Sequence, residues 1–216
     1  MSTSTDNSLA IASQEFVWSG REVPEAHSYL MPPALAALRD GGVHTVLDLG
    51  CGNGACTARL AVEGFHSTGC DASESGLALA HQSYPRLAFF PHDIASPLPA
   101  SHRENFDAVV SLEVIEHLMQ PRQLAMRARE ALRPGGLFVL STPYHGYWKN
   151  LALAVANSFD AHWHPLRDFG HVKFFSPSTL HALLCESHFS VERSLRLGRI
   201  PAFARSMLVV AVKRQS

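Results

Sequence analysis

Val46-Leu47-Asp48-Leu49-Gly50-Cys51-Gly52-Asn53-Gly54 is the stretch that decides the fold. Residues 46–49 form an apolar run with one acid, Asp48, and read as a buried strand. Gly50, Gly52 and Gly54 follow on alternate positions, and a helical pattern runs over 55–63. Strand, glycine turn and helix in that order open a βαβ unit whose turn approaches a nucleotide. Glycine supplies left-handed backbone angles and, without a Cβ, lets another group come close. The spacing is G-x-G-x-G after an acid, not the G-x-G-x-x-G of dinucleotide sites.

A second strand over 66–70 ends at Asp71, where an acid can accept hydrogen bonds from ribose hydroxyls. Asp48, the glycine loop and Asp71, in that order, resemble the S-adenosylmethionine site of class I methyltransferases. The resemblance implies that Gly50, Gly52, Asn53 and Gly54 approach the methionine and ribose of that donor. It implies that Asp71, with Ala72, binds the ribose. After a third strand over 87–90, Asp93 stands where the family places an acid on the adenine amino group. Ile94 would then pack on the ring. Asp93 also reads as a turn-forming residue. Residues 106–112 resemble the F-D-x-V-x-x strand of the family, with Leu112 at its carboxyl end against the donor. Arg133-Pro134-Gly135-Gly136, read as a turn before a fifth strand over 137–141, is another match. The implied fold is α/β: a seven-stranded, Rossmann-like, mostly parallel sheet with helices on both faces, an antiparallel last strand and a helical lid after strand five. The implied activity is S-adenosylmethionine-dependent methyl transfer.

The rest of the chain fits that frame. With 216 residues, 46% hydrophobic and 17% charged, the composition is that of a folded domain. A net charge of -1 and the lack of any Lys/Arg run argue against a nucleic-acid surface. Cys51, Cys56, Cys70 and Cys185 form no C-x-x-C pair, which suits free thiols in the cytoplasm. No apolar stretch approaches the roughly 20 residues that span a bilayer. Residues 1–15 read as a mobile tail and 16–216 as one domain. Phe16, Val17 and Trp18 are apolar enough to fold over the cofactor or the substrate mouth. A helical pattern ending near 39 is interrupted by Pro32 and Pro33, so the helix is expected to start there. Ser73 caps a helix over 77–83, and 122–132 is another. Ser176 caps a helix to about 187, and strands over 189–195 and 207–212 close the chain.

Two stretches point to chemistry beyond the donor site. In Ser111-Leu112-Glu113-Val114-Ile115-Glu116-His117-Leu118, a helix would stack Glu113, Glu116 and His117 on one face. The E-x-x-E-H pattern resembles the ubiquinone-pathway O-methyltransferases and the small-RNA 2′-O-methyltransferases. That resemblance implies a metal held by Glu113, Glu116 and His117, with His171 as a further ligand. Carboxylate and imidazole together suit Mg²⁺, Mn²⁺ or Fe²⁺. Without a metal, His171 or His145 is the candidate general base, with His162 and His164 behind them. On either route Glu116, His117, His171 and His145 are the candidate catalytic residues.

The second stretch is an insert over about 143–170. It carries Tyr144, His145, Tyr147, Trp148, Phe159, His162, Trp163, His164 and Phe169, with an apolar helical run over 151–156. Connections in compact domains are far shorter, so the insert reads as a substrate lid that could also touch a membrane surface. The favoured acceptor is a small aromatic or quinol-like molecule methylated on oxygen. N-methylation of a heterocycle, RNA 2′-O-methylation and a non-catalytic S-adenosylmethionine-binding module stay open beside it.

Overall fold

A computed structural model describes residues 18, 20, 22–163, 166 and 170–214. The expected tail, Phe16, Val17, His164 and Phe169 lie outside the described residues. The elements run α1 (His27–Asp40), β1 (Thr45–Leu49), α2 (Ala55–Val62), β2 (His66–Asp71), α3 (Glu74–Ser83), β3 (Ala88–Pro91), β4 (Phe106–Leu112), α4 (Arg122–Ala131), β5 (Leu132–Pro143), α5 (Tyr147–Val155), α6 (Phe159–Trp163), α7 (Pro177–Glu186), β6 (Phe189–Leu197) and β7 (Ser206–Lys213). They build a seven-stranded sheet of order β3-β2-β1-β4-β5-β7-β6. Neighbours from β3 to β5 pair in parallel, and β7 runs antiparallel to both β5 and β6.

Alternation along the central strands buries both faces of the sheet. Leu47, Leu49, Val109, Phe138 and Leu140 point to one core, closed by Leu124 and Ala128 of α4 and Leu180 and Leu184 of α7. Val46, Ala108, Val110 and Val139 point to the other, closed by Leu30 and Leu38 of α1 and Cys56 and Leu60 of α2. Successive residues alternate faces, and a parallel sheet needs cover on both. The strand order reverses between β1 and β4. Ligands of open α/β sheets bind outside the carboxyl ends at such a switch point.

Local chemistry sets the ends of several elements. The Ser73 hydroxyl accepts the Gly76 amide and starts α3 three residues earlier than the apolar spacing alone implied. Ser176 and Thr179 form a reciprocal capping box at α7, with proline in its first turn.

Two expectations are corrected. The first helix does not begin at the prolines; α1 starts at His27 and runs through Pro32 and Pro33. Each interior proline costs about 3 kcal/mol. Leu30, Met31, Ala34, Leu35 and Leu38 share a buried face, and full burial of one large aliphatic side chain returns about 1.5–3 kcal/mol. Several such residues outweigh two missing hydrogen bonds. The Arg133 to Gly136 stretch is not a turn before the fifth strand. It lies inside a longer β5, as a bulge where Phe106 pairs Leu132 but Ala108 pairs Leu137. Gly135 carries φ +76° there.

Asp107 locks the start of this sheet. Its carboxylate accepts the amides of His44 and Thr45 and pairs with Arg133. Burial raises its pKa, but the hydrogen bonds from Thr45 and His44 and the Arg133 guanidinium outweigh it and hold the group at about 2. A depressed folded-state value means the contribution is complete above the ordinary carboxyl range and is lost as pH falls toward 2. Asp107→Asn should cost about 1–2 kcal/mol at neutral pH and flatten the acid limb of stability between pH 4 and 2, read by denaturant titration.

Candidate active site

Every predicted donor residue except Asp48 lies at or beyond the carboxyl ends of β1 to β4, on one edge of the sheet. Gly50, Gly52 and Gly54 have φ of +88°, +52° and +80°, angles that favour glycine. The side of Gly50 where a Cβ would project is filled by Val114, and Gly54 caps α2 in the left-handed region. The Asp71 carboxylate accepts the Gly52 amide at 2.7 Å and the Ser73 amide at 2.8 Å. Asp48 sits beneath the loop, 2% exposed, and accepts the Thr57 hydroxyl at 2.6 Å. Burial raises its carboxyl to about 6.

The loop is covered from outside. The Trp18 indole lies where a Cβ on Gly52 or Gly76 would project, and the Trp18 amide donates to the Ser75 hydroxyl. The Asn53 side-chain amide donates to the carbonyls of Gly20 and Glu22. Ala72 is exposed beside Asp71. Asp93 is exposed and its carboxylate accepts the Ala95 amide, so it does form a turn. Ile94 and Leu112 are nearly buried, one in each core.

The acidic stretch after β4 is not an α-helix. Glu113 takes φ +56°, and Ile115–His117 form a single 3-10 turn. This separates the two glutamates. Glu113 turns to the sheet, where its carboxylate accepts hydroxyls of Ser141 at 2.8 Å and Ser206 at 3.2 Å. Tyr29 of α1 bonds Ser206 in turn. Glu116 turns the other way and is fully buried, with one oxygen accepting the Thr142 hydroxyl at 3.0 Å. Its Oε1 is buried without a hydrogen-bond partner.

The Glu116 carbonyl accepts the amides of Val172 and Lys173. That pulls the segment after the lid against the turn and brings His171 to His117, ring centroids 4.9 Å apart. One ligand atom from each of Glu116, His117 and His171 lies within 4.8 Å of the others. Two imidazole nitrogens and a carboxylate oxygen suit a borderline divalent cation. Glu113 is outside that group. The helix-face reading of Glu113, Glu116 and His117 is therefore corrected: positive φ at Glu113 sends its side chain toward β5 and β7. Burial, with the neighbouring Glu113 charge, pushes the Glu116 carboxyl well above its usual range.

Residues 21–194 match the family described as Methyltransferase domain. The chain belongs to the S-adenosylmethionine-dependent methyltransferases. It is 32% identical over 167 residues to a ubiquinone biosynthesis O-methyltransferase of Hydrogenovibrio crunogenus, covering 76% of this chain and 69% of that one. It is 31% identical over 139 residues to the protein of the same name from Aromatoleum aromaticum, covering 62% of this chain. There it spans only 59% of the relative's length. Among solved structures, a methyltransferase from Mesorhizobium loti is 22% identical with TM-score 0.64, over 83% of this chain and 96% of that one. Magnesium protoporphyrin IX methyltransferase from Synechocystis, with bound S-adenosylhomocysteine, is 20% identical with TM-score 0.65, over 85% and 81%. At such identities the structural likeness is one of fold.

The insert after β5 is aromatic as expected. Phe159 stacks on Trp163, which meets Phe174, which meets His145. His145 also approaches His162, with centroids 5.7 Å apart. The first lid helix starts at Tyr147, four residues before the apolar run, and none of its residues is buried. Thr142, Ser141, Ser206 and Lys149 were not singled out from sequence. Thr142 directly follows the Ser141 of the S-T pair, so the family pattern itself could have flagged it. Ser206 and Tyr29 act across 177 residues of chain, where no local spacing reports them.

Gly52→Ala should dislodge Trp18, because the new Cβ would lie 2.2 Å from the indole. In a Trp148→Phe/Trp163→Phe background the single remaining tryptophan should shift its emission to the red. An unchanged spectrum would mean that the indole is not seated on the loop.

Proposed function

We propose that this methyltransferase methylates an oxygen of a small aromatic, phenol- or quinol-like acceptor. The observation that carries the reading is a buried carboxylate with two imidazoles, Glu116, His117 and His171, on the same sheet edge as the glycine loop and Asp71. The ubiquinone biosynthesis O-methyltransferase names of the relatives support oxygen as the acceptor atom. N-methylation of a heterocycle would leave that polar cluster without a use.

S-adenosylmethionine supplies an electrophilic sulfonium methyl when bound. The bare backbone of Gly50, Gly52, Asn53 and Gly54 lets it approach, Asp71 with Ala72 holds its ribose, Asp93 meets its adenine amino group with Ile94 packed on the ring, and Leu112 lies against it. The chain's main contribution is positioning, with donor and acceptor atoms about 3–3.5 Å apart. A phenol attacks poorly until its proton leaves. A divalent cation on Glu116, His117 and His171 would supply the Lewis acidity that lowers that pKa. Otherwise His171, exposed beside His117, takes the proton. His145 is the weaker base: burial and the Lys149 ammonium lower its pKa to about 4, far below a phenol.

The exposed Tyr147, Trp148, Leu151 and Val155 of α5 suit contact with a lipid-bearing acceptor or a membrane surface. Among the described residues no helix is long and apolar enough to cross a membrane. Four free cysteines fit the cytoplasm.

Calorimetry with S-adenosylhomocysteine should show binding, weakened at least tenfold by Asp71→Ala; a wild-type titration without heat would sink the proposal. Glu116→Gln and His117→Ala should each abolish methylation of catechol while changing that affinity less than twofold.

Manganese titration followed by electron paramagnetic resonance separates the two glutamates. Glu116→Gln should lose the bound ion. Glu113→Gln should keep it, since its carboxylate is held by Ser141 and Ser206. Full turnover by a chelator-treated preparation would remove the metal from the scheme.

A further inference from the structure

The loop after β3 carries Asp93 and Ile94, and α4 meets that loop at both of its ends. At the far end the Leu98 amide donates to the Glu130 carboxylate of α4 at 2.9 Å, and the Leu98 carbonyl accepts Nε of Arg103. At the near end the His92 amide donates to the Asp71 carbonyl at 2.8 Å. The His92 ring is 6% exposed and lies beside Phe90, with centroids 6.2 Å apart.

Arg127 of α4 acts on that ring more strongly than its other charged neighbours, Asp93, Glu130 and His102. Arg127 is itself 5% exposed and pairs with Glu130, three residues on, at 2.9 Å. One ion pair on α4 therefore serves both ends of the loop: Glu130 holds Leu98, and Arg127 stands by His92.

An imidazole is a costly residue for that place. His92 Nε2 and Arg127 Nε are both buried with no hydrogen-bond partner among the described residues. Unpartnered buried polar atoms destabilise a fold, and an apolar ring would fill the same space without that penalty. Burial and the Arg127 charge lower the pKa of the ring and keep it neutral.

Asp93 follows directly. Its carboxylate accepts the Ala95 amide, and its carbonyl accepts the Ser96 amide. Those bonds shape the turn but lie wholly within it. The seat of the turn on the rest of the protein comes from His92 at one end and Leu98 at the other.

We infer that His92, held by the Arg127–Glu130 pair, is the positioning residue that aims Asp93 at the adenine amino group of the donor, so that recognition of that group is set from α4. The inference rests on the donor reading of Asp71, Asp93 and Ile94 and adds to it the residues that hold the base-reading acid in place. His92 acts through Asp93 and not on the base. A hydrogen bond weakens steeply as its angle and length depart from the optimum. A small displacement of Asp93 therefore costs selectivity for the amino group before it costs the apolar packing of the ring.

Calorimetry on the full chain tests this with S-adenosylhomocysteine set against the analogue whose base is unsubstituted purine, with hydrogen in place of the 6-amino group. The wild type should bind the adenine compound about tenfold tighter, as the loss of one hydrogen bond to a carboxylate implies. His92→Ala should cut that ratio below twofold while changing affinity for the purine analogue less than threefold. His92→Gln, which keeps a neutral polar group near the Nε2 position, should keep most of the ratio. Glu130→Gln unpairs Arg127 while its amide oxygen can still accept the Leu98 amide. It should at least halve the ratio, and it carries the test if His92→Ala does not fold. A ratio that His92→Ala or Glu130→Gln leaves intact, even with both ligands weakened, marks a merely structural role and overturns the inference. So does a His92→Gln protein as indifferent to the base as His92→Ala. Heat from both ligands with a wild-type ratio near one ends this inference alone; no heat from either ends the methyl-transfer reading as well.

Discussion

A carboxyl group closed off from water at the end of β4 governs the site. Glu116 has no exposed surface, and a buried carboxylate must find donors or counter-charge, or give up its ionisation. One oxygen has the Thr142 hydroxyl; the other has no hydrogen-bond partner. The same residue's carbonyl takes two amides from the chain that returns after the lid. Glu116 thus does two things at once. Its backbone draws Val172 and Lys173, and with them His171, onto the end of β4. Its side chain is a carboxyl that burial holds in the neutral form, and a cation between it and the two imidazoles would restore its charge. The geometry of the returning strand and the electrostatics of the cluster have one cause.

That arrangement depends on how the chain leaves β4. A left-handed residue at Glu113 is uncommon for a non-glycine side chain, and here the strain is offset by bonds to Ser141 and Ser206. An α-helix would have carried both glutamates along one face. The turn instead gives each its own neighbours: Glu113 joins β4, β5, β7 and, through Tyr29, α1, while Glu116 faces the lid's return. Val114 between them packs on Gly50, so the acidic turn and the donor loop are one packed unit.

What could be read from sequence follows the range of the interactions. The glycine loop, Asp71, the Ser73 cap and the Ser176 box are local: each depends on residues within a few positions, so spacing reports them. β4 was legible to the residue because 106–112, apolar but for Asp107 and Ser111, carries the F-D-x-V-x-x strand pattern and lies buried on both faces. The misread places are those where tertiary contacts overrode a local rule. Pro32 and Pro33 stay inside α1 because its buried face outweighs them. Residues 133–136 stay in β5 because their neighbours pair on both sides of the bulge. The turn at Glu113 is set by hydroxyls 28 and 93 residues away, which no window of sequence contains.

Charge is sorted along the edge of the sheet, and the sorting suits one kind of chemistry. Buried or half-buried acids lie under the glycine loop and at its side, Asp48 and Asp71, where a cationic sulfonium would be welcome. Glu113 and Glu116 occupy the middle. Lys149, in the first turn of α5, lies after β5, with Arg199 near it. A methyl transfer from sulfonium to an oxygen anion destroys both charges as it proceeds. Such a reaction is held back by water, which stabilises the separated ions, and is favoured where water is excluded. Phe159, Trp163, Phe174 and His145 pack ring to ring after β5, apolar surface of the kind such a transfer would use.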